Sequence, residues 1–279
     1  MNSKRILLSP PHMGGTEQTY IAQAFQDNWI APIGPHINLF ENRLADFIGE
    51  KSKVVALNSG TAAIHLGLQL LGVQNGDEVL CQSLTFVASV NPILYLGATP
   101  VFVGSEKETW NMCPDALEKA ILNRLENGIQ PKAILLVHLY GMPAKMDEIV
   151  TLSRKYNIPI LEDAAEALGS TYHGKPCGTF GDFGVLSFNG NKIITTAGGG
   201  GLICQSETAK EKAIFLATQA KEDAIHYEHK QIGYNYRMSN ISASIGLGQL
   251  EVLSKHIQLR KQNHLFYKQL FDAISEVTL

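Results

Sequence analysis

Short apolar runs alternate with stretches of helical spacing over the first 160 or so residues of the chain. The apolar runs predict strands at 54–57, 78–81, 99–103, 133–137 and 158–161. Between them, apolar residues at helical spacing predict helices at 60–72, 85–96, 114–127 and 146–156. Runs such as Ile134-Leu135-Leu136-Val137 are apolar on both faces, as the strands of a covered parallel sheet must be. The alternation therefore predicts a doubly wound α/β sheet.

The remaining segments follow other patterns. Thr16 is placed to cap one helix and Gly49 to end a second, with a shaped loop at 28–35 between the two. From 181 to 204, short apolar runs are separated by asparagine and glycine, which predicts tight turns at one edge of the sheet. After Ser239, apolar residues at helical spacing predict one long helix.

Composition narrows the class of protein. The chain has 279 residues, of which 45% are hydrophobic and 18% charged, with a formal net charge of −3. This indicates a globular chain of about two domains, and it excludes an extensive basic surface that would bind nucleic acid. The longest apolar run, 133–139, is far shorter than the roughly 20 residues that cross a membrane. Four widely spaced cysteines predict reduced thiols and a cytoplasmic location. We expect neither nucleic acid nor membrane as a partner.

The first motif with chemical meaning is Asn58-Ser59-Gly60-Thr61, between a predicted strand and a predicted helix. Glycine lets a ligand approach the backbone, and a helix start offers unpaired N–H groups and a positive dipole end. These features suit a phosphate group, to which Thr61 adds a hydroxyl. An ordinary helix cap of serine and threonine is an equally good explanation of the motif taken alone.

The second motif, Glu162-Asp163-Ala164-Ala165-Glu166, follows the predicted strand 158–161. Ligands of open α/β sheets bind at the carboxyl ends of the strands. A carboxylate buried there is costly without a cationic partner, so we expect Asp163 to meet a positively charged ligand group or an arginine. The alternative is an aspartate that caps a helix.

The third motif is Ser187-Phe188-Asn189-Gly190-Asn191-Lys192, followed by four glycines at 198–201. A lysine flanked by apolar residues and glycines, with no other charge beside it, is a candidate for a desolvated amine nucleophile. An ordinary surface lysine in a turn is the alternative. Phe86, considered alone, is more typical of a core position, and the charged stretch around His226 and His229 favours a solvated face over a metal site.

The order of these motifs, phosphate loop, buried aspartate, then serine and lysine five residues apart, resembles that of fold-type I pyridoxal-phosphate enzymes. More specifically, the chain resembles the DegT/DnrJ/EryC1/StrS family of sugar aminotransferases. The segments that carry this resemblance are Leu8-Ser9-Pro10-Pro11-His12-Met13-Gly14-Gly15, Asn28-Trp29-Ile30-Ala31-Pro32, Ser59-Gly60-Thr61-Ala62-Ala63, Thr85-Phe86-Val87-Ala88-Ser89, Glu162-Asp163-Ala164-Ala165-Glu166-Ala167-Leu168-Gly169 and Gly233-Tyr234-Asn235-Tyr236-Arg237.

The resemblance implies the cofactor pyridoxal 5′-phosphate and a role for particular residues. Lys192 would form the Schiff base with the cofactor and move the proton, and Asp163 would pair with the pyridine nitrogen. Phe86 would stack on the ring. The residues that would bind the phosphate are Gly60, Thr61 and Ser187 of one subunit and Asn235 of its neighbour in a homodimer.

Two further positions are assigned in the same way. Glu166 lies where the family often has glutamine or histidine beside the cofactor ring. Asn28, Trp29 and Ile30 correspond to a segment that would contact the substrate. The implied fold is an α/β/α sandwich with a mostly parallel seven-stranded sheet.

The implied reaction is a ping-pong transfer of an amino group from L-glutamate to a nucleotide-linked keto sugar. The resemblance is closest to members that aminate UDP-linked 4-keto-6-deoxy sugars, as in bacillosamine-type pathways for surface polysaccharides and glycans. Relatives that dehydrate sugars carry histidine in place of the lysine, and this chain has Lys192. Amination of a 3-keto sugar or a cyclitol is the enzymatic alternative.

Domain organisation follows from the same resemblance. We expect a cofactor-binding large domain at 1–238 and a long helix at 239–279 that leads towards a small C-terminal domain, most of which this chain lacks. We therefore expect cofactor binding to be retained better than turnover. An inactive or regulatory protein with the same fold is the non-enzymatic alternative.

Overall fold

The computed structural model describes residues 7–49 and 52–277, so the ends of the two expected domains, 1–6 and 278–279, lie outside the described residues. Within them, the α-helices are α1 (Glu17–Gln26), α2 (Pro35–Ile48), α3 (Gly60–Leu70), α4 (Asn91–Tyr95), α5 (Pro114–Glu126), α6 (Met146–Tyr156), α7 (Glu207–Ala217) and α8 (Asn240–Phe271). The strands are β1 (Lys53–Leu57), β2 (Glu78–Gln82), β3 (Thr99–Val103), β4 (Ala133–Val137), β5 (Ile160–Asp163), β6 (Thr171–Tyr172), β7 (Lys175–Pro176), β8 (Phe183–Ser187) and β9 (Gly200–Cys204).

Seven strands form one sheet in the order β1-β9-β8-β5-β4-β2-β3. Neighbouring strands from β8 to β3 are parallel, whereas β9 is antiparallel to both β1 and β8. The short strands β6 and β7 form a separate antiparallel pair. The expected mostly parallel seven-stranded sheet is confirmed.

Helices cover both faces of this sheet because successive side chains of a strand point to opposite faces. All five residues of β4 are buried. Leu135 and Val137 join a core with α3 and α7, whereas Ile134 and Leu136 join a core with α5 and α6. A third core lies under α2 and α8. The layers are therefore helix, sheet and helix.

One predicted helix is wrong. In place of a helix at 85–96, the chain forms a single 3-10 turn at Val87–Ser89 and the short helix α4. Pro92 is the second residue of α4, and a proline is tolerated in the first turn of a helix but not in its interior. The break leaves Phe86 outside any α-helix and 76% exposed, so this residue does not take the core position that is more typical of a phenylalanine considered alone.

The predicted position of residues 181–204 at a sheet edge is wrong as well. Strands β8 and β9 lie inside the sheet, where β9 pairs with both β1 and β8. Gly200 makes this packing possible, since a Cβ atom there would overlap the Ser59 carbonyl group. The strand β9 therefore passes directly beneath the start of α3.

The end of α2 and the start of α8 agree better with the predicted pattern. Helix α2 ends at Gly49 with a φ of 74°, which glycine adopts at little cost. Helix α8 starts after Ser239, whose side chain accepts a hydrogen bond from the Ser242 N–H. A division into two domains at this point stays a prediction. In the part of the chain that the structure describes, no helix combines the length and the apolar character needed to span a membrane.

Candidate active site

A cavity of about 710 Å³, called the first cavity below, opens at the carboxyl ends of β4, β5 and β8 and at the start of α3. Parallel strands end together at this edge, which is where open α/β sheets bind ligands. Seven of the residues singled out from the sequence lie on its wall, namely Gly60, Thr61, Phe86, Asp163, Glu166, Ser187 and Lys192.

The start of α3 forms one end of the first cavity. The Ser59 side chain caps the helix by accepting a hydrogen bond from the Ala62 N–H at 3.0 Å. Gly60 packs closely against the end of β8, because a Cβ atom there would lie 3.1 Å from the Cβ of Ser187. The remaining N–H groups of the first turn and the helix dipole make this end suitable for an anion such as phosphate.

Asp163 is the last residue of β5 and is only 5% exposed. Its Oδ2 accepts a hydrogen bond from the Ser89 hydroxyl at 2.7 Å, and its Oδ1 accepts one from the Ala165 N–H at 3.1 Å. Burial raises the pKa of Asp163 above its ordinary value, although these hydrogen bonds and the charge of Lys192 act in the opposite direction. A cationic group facing this carboxylate would favour its ionised form.

Ser89 is a site residue that the sequence analysis missed. It is 2% exposed, and its oxygen lies 2.8 Å from the Thr85 hydroxyl. Because the Ser89 proton is donated to Asp163, the Ser89 oxygen accepts the hydrogen bond from Thr85. No local signal in the sequence identifies the hydrogen bond between Ser89 and Asp163, since these two residues are 74 positions apart.

Glu162, the neighbour of Asp163 on β5, points to the opposite face of the strand and is fully buried. Its two oxygens accept hydrogen bonds from His138 Nε2 and from the N–H groups of Gly178, Phe180 and Gly181. His138 Nδ1 accepts a hydrogen bond from the Ala144 N–H, so Nε2 carries the ring proton. Four donors therefore converge on Glu162, which is a structural carboxylate.

Replacing Glu162 by glutamine should lower the free energy of unfolding by about 1–3 kcal/mol. One terminal group of the glutamine is a donor, and it would face N–H groups that now donate to a carboxylate oxygen. Urea unfolding followed by circular dichroism measures the change.

Glu118 supplies the matched control for this experiment. It lies on the surface, where it pairs with Lys155 at 2.7 Å. Glu118→Gln should leave the free energy of unfolding close to that of the parent, because an exposed ion pair contributes little to stability. Equal unfolding midpoints for both variants and the parent would contradict the assigned role of Glu162.

Lys192 lies in the turn that follows β8, where its N–H donates to the Asn189 carbonyl. Its Nζ lies 3.1 Å from Oε1 of Glu166, and its side chain is 16% exposed. The other oxygen of Glu166 accepts a hydrogen bond from the Tyr140 N–H at 2.9 Å. Glu166 therefore links the lysine to the loop that follows β4. Tyr140, at φ 52° and 87% exposed, is a second wall residue that the sequence analysis missed.

Four of the predicted site residues do not lie on the wall of the first cavity. Asn28, Trp29 and Ile30 are exposed in the loop between α1 and α2, which a hydrogen bond from Asn240 Nδ2 to the Trp29 carbonyl ties to α8. The Asn235 side chain is exposed, but its carbonyl accepts a hydrogen bond from Asn58, which does line the cavity. Their expected contacts with substrate and with a neighbouring subunit stay predictions.

The first cavity thus combines an amine, a buried carboxylate and an anion-binding helix start. An exposed aromatic ring, that of Phe86, stands on the same wall. An amine of this kind can bond to a carbonyl carbon, and the carboxylate can hold a protonated ring nitrogen. The arrangement is suited to an aromatic phosphate ester with a carbonyl group and a basic nitrogen.

Comparison with known proteins identifies relatives over nearly the whole chain. The sequence model of the DegT/DnrJ/EryC1/StrS aminotransferase family matches residues 11–279. EpsN of Bacillus subtilis, provisionally named a pyridoxal phosphate-dependent aminotransferase, is 58% identical over 274 residues, which cover 98% of this chain and 70% of EpsN. GDP-perosamine synthase of Escherichia coli O157:H7 is 40% identical over 274 residues, which cover 98% of this chain and 73% of that protein.

A solved structure is similar in fold as well. Spr1654 of Streptococcus pneumoniae, provisionally named a sugar aminotransferase and solved in its PLP-form, superposes with a TM-score of 0.86 at 32% identity. The match covers 97% of this chain and 72% of that structure.

Proposed function

The chain belongs to the DegT/DnrJ/EryC1/StrS aminotransferase family, and we propose that it uses pyridoxal 5′-phosphate to transfer an amino group from L-glutamate to a nucleotide-linked keto sugar. The observation that carries the proposal is the presence of Lys192 and Asp163 on the wall of one cavity, with a phosphate-binding helix start at its end. The PLP-form of the similar Streptococcus pneumoniae protein supports the choice of cofactor.

The residues of the first cavity fit this cofactor. Burial raises the pKa of Asp163, so a protonated pyridine nitrogen is the kind of partner that would keep this carboxylate ionised. Gly60, Thr61 and Ser187 would bind the phosphate, to which the α3 dipole adds attraction. The exposed ring of Phe86 would cover one face of the cofactor ring.

Pyridoxal phosphate, when bound, supplies the aldehyde that exchanges the amino group and a ring that accepts electrons. Lys192 would hold the cofactor through its ε-amine and, once released, move a proton at that amine. Glu166, 3.1 Å from Nζ, would hold the ammonium form of the released lysine. Ser89 would keep Asp163 oriented through the 2.7 Å hydrogen bond.

Assembly and location are part of the same proposal. Asn235, whose side chain is exposed beside the first cavity, would bind the cofactor phosphate of a neighbouring subunit in a homodimer. The four cysteines are free thiols, three of them buried, which supports a reducing compartment such as the cytoplasm.

For the acceptor, we favour a UDP-linked 4-keto-6-deoxy sugar, with Asn28, Trp29 and Ile30 as substrate contacts. The name of the Escherichia coli relative refers to a GDP-linked sugar, so the nucleotide is a variable to be tested. Products of this kind are building blocks of surface polysaccharides and glycans.

A mass-spectrometric screen tests this function. The chain, supplied with pyridoxal phosphate and L-glutamate, is offered UDP-, dTDP- and GDP-linked keto sugars with the carbonyl at C4 or C3. We expect an amino sugar and 2-oxoglutarate in equal amounts. If the cofactor absorbs in the visible and borohydride labels Lys192 but no sugar is aminated, the proposed acceptor class is wrong. If borohydride does not label Lys192, the proposed cofactor chemistry is wrong.

A further inference from the structure

The turn that follows β4, residues 139–142, has an unfavourable backbone conformation. Tyr140 has a φ of 52°, in the left-handed region that residues other than glycine adopt only at a cost, and Gly141 follows it with a φ of 84°. Strained conformations of this kind persist where surrounding contacts hold them, and they are most frequent at functional sites. Groups outside the turn must therefore hold it in place.

Two side chains from other parts of the chain hold the turn. Asn111, which lies between β3 and α5 in the chain and is fully buried, accepts a hydrogen bond from the Leu139 N–H at 2.8 Å and donates one to the Met142 carbonyl at 2.9 Å. A single amide group thus joins the two ends of the turn. The half-buried Ser170 donates a hydrogen bond to the Gly141 carbonyl at 2.7 Å.

The turn meets Glu166 in two places. The Tyr140 N–H donates to Oε2 of Glu166 at 2.9 Å. Gly141 lies directly against the Glu166 backbone, since a Cβ atom there would be 2.8 Å from the Glu166 carbonyl oxygen. The other carboxylate oxygen of Glu166 accepts a hydrogen bond from Lys192 Nζ at 3.1 Å. Displacing the turn would therefore move the carboxylate that contacts the amine.

We propose that Asn111 and Ser170 are positioning residues for Lys192, an inference that rests on the proposed function. By holding the turn, they fix the Glu166 carboxylate, which then holds the ammonium form of the lysine whenever the amine is released from the cofactor. Neither Asn111 nor Ser170 lines the first cavity, so each acts through Glu166 and not by contact with the reacting atoms. A fixed carboxylate keeps the amine directed into the cavity, where the proposed reaction needs it to move a proton.

The Glu166 carboxylate depends on the turn because it has few other partners. Its side chain is 34% exposed, so water can compete for both of its oxygens. Among the residues that the structure describes, the Tyr140 N–H is the only hydrogen-bond donor to this carboxylate besides Lys192. While the lysine is joined to the cofactor, Tyr140 is therefore the donor that keeps the carboxylate in place for the released amine.

Acetylation of Lys192 in the cofactor-free chain tests the inference. The chain is treated with acetic anhydride to low conversion, and peptide mass mapping gives the rate at Lys192. A nearby carboxylate stabilises the ammonium form, which does not react, so Glu166→Gln should speed the reaction at least about threefold. Ser170→Ala, which releases the Gly141 carbonyl, should change the rate in the same direction because the carboxylate is no longer fixed.

A double variant separates positioning from a general loss of structure. If Ser170 acts through Glu166, Ser170→Ala should add nothing to the rate of Lys192 acetylation once Glu166→Gln is present. Ser153→Ala is the matched control, because the half-buried Ser153 donates a hydrogen bond of 2.6 Å to the Ile158 carbonyl, outside the first cavity. We expect the control to leave the rate at Lys192 unchanged.

Asn111→Ala removes both hydrogen bonds at the ends of the turn and should speed acetylation of Lys192 more than Ser170→Ala does. Circular dichroism shows whether this variant is folded, and if it is not, the Ser170 variants decide the outcome alone. In the cofactor-loaded chain, folded Asn111→Ala should keep the visible absorbance of the cofactor and lose at least about threefold in turnover at saturating substrates.

The inference is overturned by unchanged acetylation of Lys192 in Ser170→Ala, by effects that add in the double variant, or by an equal effect of Ser153→Ala. Its failure is distinguishable from failure of the proposed function, because acetylation is measured without cofactor or substrate. If the parent aminates a sugar while the effects add, only the positioning role is wrong. If the effects do not add but borohydride does not label Lys192 in the loaded parent, the cofactor chemistry is wrong and the link from the turn to Lys192 stands.

Discussion

Replacing Lys192 by alanine should abolish covalent attachment of the cofactor and lower turnover by more than about 10³-fold. Of the residues that the structure describes, Lys192 is the one lysine on the wall of the first cavity, so no other amine there can replace it. The measurements are the visible absorbance of the loaded protein, borohydride labelling followed by peptide mapping, and the rate of amino-sugar formation.

Two further variants make the Lys192 experiment specific. Lys192→Arg keeps the positive charge beside Glu166 but offers no amine that bonds readily to an aldehyde, so it should be as inactive as the alanine variant. Lys155→Ala removes an exposed lysine on α6 that pairs with Glu118, and should leave attachment and turnover unchanged. Labelling of another lysine in the Lys192→Ala variant, with turnover retained, would show that the nucleophile was assigned wrongly.

The buried part of the sheet was the easiest part of the fold to predict. The boundaries predicted for β3 and β4 agree with the structure, and the predicted helix at 114–127 is one residue longer than α5. Every residue of β4 is buried, so all five positions require apolar side chains and the strand is visible in the sequence as an apolar run. Pro114 begins α5 at the position where proline is favoured.

The errors have a common physical cause, which is contact between distant parts of the chain. The helix predicted at 85–96 is replaced by a turn that places the Ser89 hydroxyl on Asp163. Strand β9 lies inside the sheet because it pairs with β1, about 150 positions earlier in the chain. Local apolar spacing contains no information on either contact.

The candidate site likewise contains residues that a local motif identifies and features that only distant parts of the chain create together. Gly60, Asp163 and Lys192 were found because each starts a helix, ends a strand or follows one at the edge where strands end, and a local sequence motif indicates that position. A further cavity of about 650 Å³, which shares Tyr140 and Lys192 with the first, was not predicted at all. Its wall combines the loops after β4, β5 and β8 with one face of α8, and no single sequence motif indicates such an arrangement.

Replacing Asp163 by asparagine should lower turnover by about 10²–10³-fold while covalent attachment to Lys192 is retained. Asparagine has nearly the same shape but carries no charge, so it would no longer keep the pyridine nitrogen protonated. The variant therefore distinguishes loss of the charge that keeps the pyridine nitrogen protonated from loss of the cofactor itself. The measurements are turnover at saturating substrates and the visible spectrum of the loaded protein.

Asp147→Asn is the matched control, since Asp147 lies on α6 with a side chain that is 72% exposed. We expect this control to have the turnover of the parent. Turnover within about twofold of the parent for Asp163→Asn would contradict a role for this carboxylate at the ring nitrogen.

Asp163→Asn should lower turnover, but it should favour the folded state of the cofactor-free protein as the pH rises. Burial raises the pKa of Asp163 above its ordinary value of 3.8, so the folded protein keeps this proton at pH values where the unfolded chain has lost it. The free energy of unfolding of the parent should therefore fall as the pH rises through this window, a slope that Asp163→Asn lacks. Relative to the parent, the asparagine variant should be more stable near pH 7 than near pH 4 in urea unfolding. A difference of the reverse sign would mean that the folded protein stabilises the ionised carboxylate without the cofactor, and that the pyridine nitrogen is not needed to hold its charge.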